Sequence, residues 1–179
     1  RGYNFPRILG QNYLTLEGIF GSALDVAATY IVLFTIYGAF LEYSGAGKFF
    51  LDWAFAALGK SSSGAGPGRT VTAAGFLLGT VSGSGVATTV TLGSLAWPML
   101  KKSGYDPDTG GAILASAGIG AILSPPTLGA AAFLIAEYLE ISYLEVLIMA
   151  MIPTILYYLS CFLMIEADSR RLGTRAVSI

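Results

Sequence analysis

The sequence predicts an all-α polytopic membrane protein in which transmembrane helices accompany a re-entrant helical hairpin and a discontinuous helix. Three observations predict it. Apolar residues make up 54% of the chain and charged residues only 12%, and the mean hydropathy is +0.68, a balance that suits a lipid-solvated chain. The 31 residues from Thr70 to Leu100 carry no charge and are bounded by Arg69 and by Lys101-Lys102. A second charge-free run, Thr109 to Ala136, is interrupted by Ser124-Pro125-Pro126-Thr127.

Composition also excludes chemistry. The chain has no His, and Cys161 is its only Cys, so His-based catalysis, Cys/His metal sites and an internal disulfide are ruled out. No catalytic residue, metal site or cofactor is expected, and Cys161, set in an apolar run, reads as a packing residue. An intramembrane protease would need a nucleophile with a His partner or paired carboxylates at depth, and Asp25 has no such partner. The net charge of −1 is uninformative, because in a membrane protein the placement of the charges matters more, and no nucleic-acid partner is expected. The chain begins with Arg1 and shows no signal-peptide pattern, so it is expected to be a piece of a longer protein.

Taken in order, residues 1–22 set Tyr3, Phe5, Tyr13, Leu14, Ile19 and Phe20 among polar residues, and predict an interfacial segment on the periplasmic side. Residues 23–43 predict a transmembrane helix, built on the apolar run Ala23 to Leu41. Ser22-Ala-Leu-Asp25 has capping-box spacing, with Ser22 as N-cap and Asp25 in the first turn; the alternative for Asp25 is an intramembrane ion ligand. Residues 46–60 are short and amphipathic, with Trp53 suited to an interface, and predict an arm helix on the cytoplasmic surface. The Ser/Gly-rich residues 61–69 predict a cytoplasmic linker that frees the next segment from that arm.

Residues 70–102 predict the re-entrant hairpin. One straight helix over Thr70–Leu100 would be about 46 Å long, against a hydrocarbon core of roughly 30 Å. Basic residues at both ends place both ends on the cytoplasmic side. The arms are expected at about Thr70–Val81 and Val86–Leu100, the first rising roughly halfway, with Gly83 and Gly85 letting the chain reverse. Ser82, Ser84 and Thr88 can satisfy exposed backbone groups or offer oxygens to an ion. Non-helical backbone at that depth survives only where protein or a wet cavity surrounds it, so the tip is a candidate site. A long, tilted, Gly-kinked helix packing through its small residues is the alternative.

Residues 106–139 predict a broken transmembrane helix, started by Asp106 at the N-cap with Pro107 behind it. Pro125 and Pro126 remove two donors and push Ser124 out of the helical region. Half-helices broken in this way present carbonyls and amides to ions and carboxylates; a simple Pro kink is the other reading. Ser142-Tyr-Leu-Glu145 is a capping box opening a span over residues 143–166, and residues 167–179 predict a cytoplasmic tail. In this topology Lys48, Lys60, Arg69, Lys101, Lys102, Arg170, Arg171 and Arg175 fall inside, and Arg1 and Arg7 outside.

Three motifs in one order carry a resemblance: Gly79-Thr-Val-Ser-Gly-Ser-Gly-Val-Ala-Thr88; Gly93-Ser94 with Pro98-Met-Leu-Lys-Lys-Ser-Gly-Tyr105; and Ser124-Pro-Pro-Thr-Leu-Gly-Ala-Ala-Ala-Phe-Leu-Ile-Ala-Glu137. They resemble the large membrane subunit of TRAP transporters, most closely the fused permeases in which the small and large membrane subunits form one chain. The likeness runs from about Tyr13 to Asp168 and matches the first of two inverted repeats. It implies sodium-driven uptake of organic acids such as C4-dicarboxylates across the bacterial or archaeal inner membrane, fed by a periplasmic solute-binding protein. It also implies an elevator-type fold in which hairpins and broken helices move against a scaffold.

Carried over by position, Ser82, Gly83, Ser84 and Gly85 form the hairpin tip, and Ser124, Pro125, Pro126 and Thr127 the facing break; Thr88 joins the candidate site through its own hydroxyl. Together they are expected to hold sodium and part of the substrate pocket. The chain departs from the pattern where many members have Asn in place of Thr88 and a Thr-rich return in place of Leu92. It also departs at Gly118-Ile119-Gly120-Ala121-Ile122, where members often carry Ser-Thr-Gly-Gly-Gln. Either backbone carbonyls hold the ion, or the substrate contacts differ. The competing readings are a sodium–carboxylate carrier that needs no binding protein, and a purely structural membrane module.

Overall fold

The computed structural model describes residues 2–16, 18–58 and 64–175, and among them the fold is helical with no strand. The helices are α1 (Phe5–Tyr13), α2 (Ser22–Val26), α3 (Val32–Tyr43), α4 (Ala46–Leu58), α5 (Gly66–Ser82), α6 (Gly85–Lys102), α7 (Pro107–Ala121), α8 (Ala131–Leu139) and α9 (Tyr143–Leu172). A π-helical turn, Ala27–Ile31, joins α2 to α3, and there the Thr29 hydroxyl donates back to the Asp25 carbonyl at 2.7 Å. Among the described residues two helices are long and apolar enough to cross a membrane, Ser22–Leu41 and Tyr143–Leu172, with mean hydropathies of 1.8 and 2.1.

Local signals explain most helix starts. Asp106 caps α7 by accepting from the Thr109 amide at 3.1 Å, with Pro107 in the first turn. Ser142 and Glu145 form both halves of a capping box on α9: the Glu145 amide donates to the Ser142 hydroxyl at 3.3 Å, and the Ser142 amide donates to the Glu145 carboxylate at 2.9 Å. The capping box expected at Ser22 does not form. Gly21 is the N-cap, its carbonyl accepting from the amides of Leu24 and Asp25, and Ser22 is already inside the helix. Asp25 does sit in the first turn, exposed, where a carboxylate suits the helix dipole.

Three expected boundaries shift. The predicted linker 61–69 is helical from Gly66 onward, because Pro67 fits the first turn of α5; Lys60 and Ser61–Ser63 lie outside the described residues. The hairpin arms are therefore longer than expected, 17 and 18 residues, or roughly 26 and 27 Å. The linker also does not free the hairpin from the arm: α4 packs on α5, and Ala54, fully buried, joins the main core with Val71, Ala74 and Leu78. Residues 167–172 of the predicted tail continue α9 to Gly173, whose φ of +62° ends the helix. Apolarity marks where lipid ends, whereas the helix itself runs on through Glu166 and Arg170, paired at 3.2 Å.

The core lies between the two hairpin arms and α7, where Leu92, Leu100, Ala117 and Val71 are fully buried. Small residues set the spacing. A Cβ on Gly75 would meet Ala117 at 2.8 Å, and one on Gly110 would meet the Trp97 ring at 2.6 Å.

One end of the bundle collects the start of α5, the end of α6, the start of α7 and the end of α9. Arg69 pairs with Glu166, the Thr174 hydroxyl donates to the Gly64 carbonyl at 3.0 Å, and the Arg175 amide donates to the Ser103 carbonyl at 2.9 Å. Both ends of the hairpin thus lie beside the C-terminus of α9, as a chain that enters and leaves on one side requires.

Candidate functional site at two facing helix breaks

The hairpin reverses at Gly83, which has φ +57° and donates its amide to the Gly79 carbonyl at 3.0 Å. This left-handed geometry is the one that glycine tolerates. Ser84 then caps α6, its hydroxyl accepting from the Ala87 amide at 3.4 Å. The hydroxyls of Ser82 and fully buried Thr88 stand 2.9 Å apart across the turn, tying the end of α5 to the first turn of α6. Gly85 lies against α7: a Cβ there would meet the Gly118 carbonyl at 2.9 Å.

The second break occupies residues 122–130, between α7 and α8, and includes a cis Pro125–Pro126 bond. The two breaks meet. The Thr127 hydroxyl lies 2.9 Å from the Gly79 carbonyl and 3.0 Å from the Thr80 carbonyl, so its single proton caps the C-terminal end of α5. A Cβ on Gly83 would stand 2.8 Å from the Leu128 carbonyl. The structure therefore brings Ser82, Gly83, Ser84, Gly85 and Thr88 into one region with Thr127.

It does not bring every expected ligand there. Ser124 is fully buried with its hydroxyl already engaged by protein, donating to the Gly120 carbonyl at 3.0 Å and lying 3.0 Å from the Tyr158 hydroxyl of α9. The carbonyls that the prolines were expected to free have protein donors: Thr154 donates to Leu123 at 2.8 Å, and the Leu128 amide donates to Ser124 at 3.2 Å. The Pro126 carbonyl accepts from the Tyr143 hydroxyl at 2.9 Å, and the Ser116 carbonyl from Tyr157 at 2.7 Å. Helix α9 thus satisfies a broken helix through hydroxyls, as backbone at membrane depth requires. Sequence reasoning missed these four residues, although hydroxyls on an otherwise apolar span were a usable signal.

The position of the breaks along α9 is informative. Tyr158 is the sixteenth of the thirty residues of α9, so the facing breaks lie beside the middle of the longest apolar helix. Two breaks at that level, the hairpin tip with Ser82 and Ser84 exposed and the second with Ser124 and Thr127 buried, are a construction of membrane permeases rather than of helices that only span.

Comparison with known proteins agrees. The family described as "Tripartite ATP-independent periplasmic transporter, DctM component" matches residues 2–178, and this chain belongs to it. That family is one of transporter permeases, not of enzymes. Among characterised relatives, the "C4-dicarboxylate TRAP transporter large permease protein DctM" of Rhodobacter capsulatus is 32% identical over 98 residues. That match spans 55% of this chain and 22% of the relative. No solved structure matches.

Proposed function

We propose that the chain forms part of the permease component of a sodium-driven, binding-protein-dependent secondary transporter that takes up organic acids such as C4-dicarboxylates. The supporting observation is the docking of the hairpin tip onto the second break, in a chain whose family is a periplasmic transporter. In this reading the coupling ion lies at the tip, between the oxygens of residues 81–84, Thr88 and Thr127, because sodium prefers several oxygen ligands in place of its hydration shell. Pro125 and Pro126 shape the facing loop, and Ser124 anchors it. The relative's printed name supports a dicarboxylate as substrate. The partners are a periplasmic solute-binding protein and a small membrane subunit, fused in the full-length protein, and the location is the bacterial or archaeal inner membrane.

The test is uptake by the full-length protein in proteoliposomes across a panel of organic acids, with and without sodium and the binding protein. Uptake of a dicarboxylate that requires both is the expected result. Sodium-dependent uptake that ignores the binding protein would favour the simpler carrier, and no uptake under any condition would leave the structural module.

In the same reading the bundle end that carries Lys101, Lys102, Arg170 and Arg171 faces the cytoplasm. Cysteines at 102 and 171 are expected to react only with a reagent supplied from inside. Labelling of either from outside would overturn that orientation.

A further inference from the structure

Resting on the sodium-coupled reading above, we propose that Tyr158 and Thr154 of α9 are positioning residues that set the ion affinity of the facing breaks. Neither is offered as a ligand. Tyr158 is 8% exposed and Thr154 is 4% exposed, and their hydroxyls contact Ser124 and Leu123 of the 122–130 loop rather than the tip residues 82–85.

A count of protons fixes the direction of the contact. The Ser124 hydroxyl has one proton and donates it to the Gly120 carbonyl, so at 3.0 Å it accepts from Tyr158. Tyr158 therefore holds Ser124 as a donor, a role that Phe cannot fill. The approach depends on Gly120, since a Cβ there would come within 2.5 Å of the Tyr158 oxygen. One residue earlier, Thr154 shares its proton between its own helix, at the Ala150 carbonyl 2.7 Å away, and the Leu123 carbonyl at 2.8 Å.

These two bonds pin successive residues, 123 and 124, immediately before the prolines. Three residues later Thr127 reaches the carbonyls of Gly79 and Thr80. With 123 and 124 held by α9, Thr127 is presented to α5 at a fixed height, and the carbonyl end of α5 leads directly into Ser82–Ser84. Releasing the loop lets Thr127 withdraw, and the tip must then reorganise before it can bind an ion.

The experiment uses the full-length permease in proteoliposomes with its binding protein. It measures the sodium concentration at half-maximal uptake, the substrate KM at saturating sodium, and the thermal midpoint of the purified protein. Tyr158→Phe and Thr154→Val are each expected to raise half-saturating sodium about fivefold, the equivalent of one lost hydrogen bond, with substrate KM and maximal rate unchanged at saturating sodium. Thr154→Ser, which keeps the donor, should restore the wild-type value. Tyr157→Phe loses a bond to Ser116, well before the break, and is expected to lower the thermal midpoint without moving the sodium dependence.

Wild-type sodium dependence in Tyr158→Phe and Thr154→Val would overturn the proposal. So would an equal shift in Tyr157→Phe, which would make the effect one of general stability. A wild-type protein that shows no sodium dependence at all would instead remove the functional reading, and the proposal with it.

Discussion

Gly83→Val is expected to abolish uptake in the full-length permease while leaving it in the membrane. Two penalties act together. A β-branched residue at φ +57° occupies a region that costs about 1–3 kcal/mol, and its Cβ would stand 2.8 Å from the Leu128 carbonyl of the facing break. Asn separates the two terms, because it tolerates a left-handed backbone but still brings a Cβ. If the close approach of the two breaks matters, Gly83→Asn transports nearly as poorly as Gly83→Val. Wild-type transport by Gly83→Asn, with only Gly83→Val inactive, would mean that backbone conformation alone makes the tip and that the breaks need not touch.

Gly79→Ala is the second large effect, and it acts on stability. The added Cβ would lie 2.5 Å from the Ala121 Cα and 2.7 Å from its Cβ, where α5 crosses α7, and 3.0 Å from the Ser124 hydroxyl. The obstacle is backbone rather than the end of a flexible side chain, so the helices must part. Overpacking of this kind costs about 1–3 kcal/mol, and here it also disturbs the carbonyl that accepts from Thr127. Gly93→Ala is the control: nothing lies within 4 Å of its added Cβ, and helix propensity favours Ala by up to about 1 kcal/mol. The thermal midpoint of purified protein should fall by several degrees for Gly79→Ala and hold or rise for Gly93→Ala. Equal midpoints would show that the α5–α7 crossing has slack.

The features that sequence made legible are those with local causes. Gly83 between two serines, Pro107 behind Asp106 and the Ser142–Glu145 spacing each act within four residues, and each forms as expected. The double proline likewise breaks its helix where it stands. What was not legible depends on neighbours distant in the chain. Ser124 looked available to an ion, but its orientation is decided by Tyr158, 34 residues away. The carbonyl of Leu123 looked free because the donor that claims it, Thr154, sits on α9. Ala54 looked like part of a detached arm, since nothing in a run of Ala and Phe says which surface it will pack against. The Gly21-for-Ser22 exchange at the start of α2 is a subtler case, as either residue can cap and only the backbone angles choose between them.

The hydroxyls that α9 supplies also impose an order on synthesis. A chain made from its N-terminus presents the 122–130 loop to the membrane before Tyr143 and Thr154 exist, when the carbonyls of Leu123 and Pro126 lack those donors. Each unsatisfied backbone group in hydrocarbon costs several kcal/mol, so the loop must stay wet or shielded until α9 has emerged. Burial of this loop is therefore completed from its C-terminal side, by a helix made after it. A chain truncated at residue 141 and released into the membrane is expected to remain open to protease within 122–130, and one that continues past residue 172 to be protected there. Equal protection of the two would show that the loop settles without its later partner.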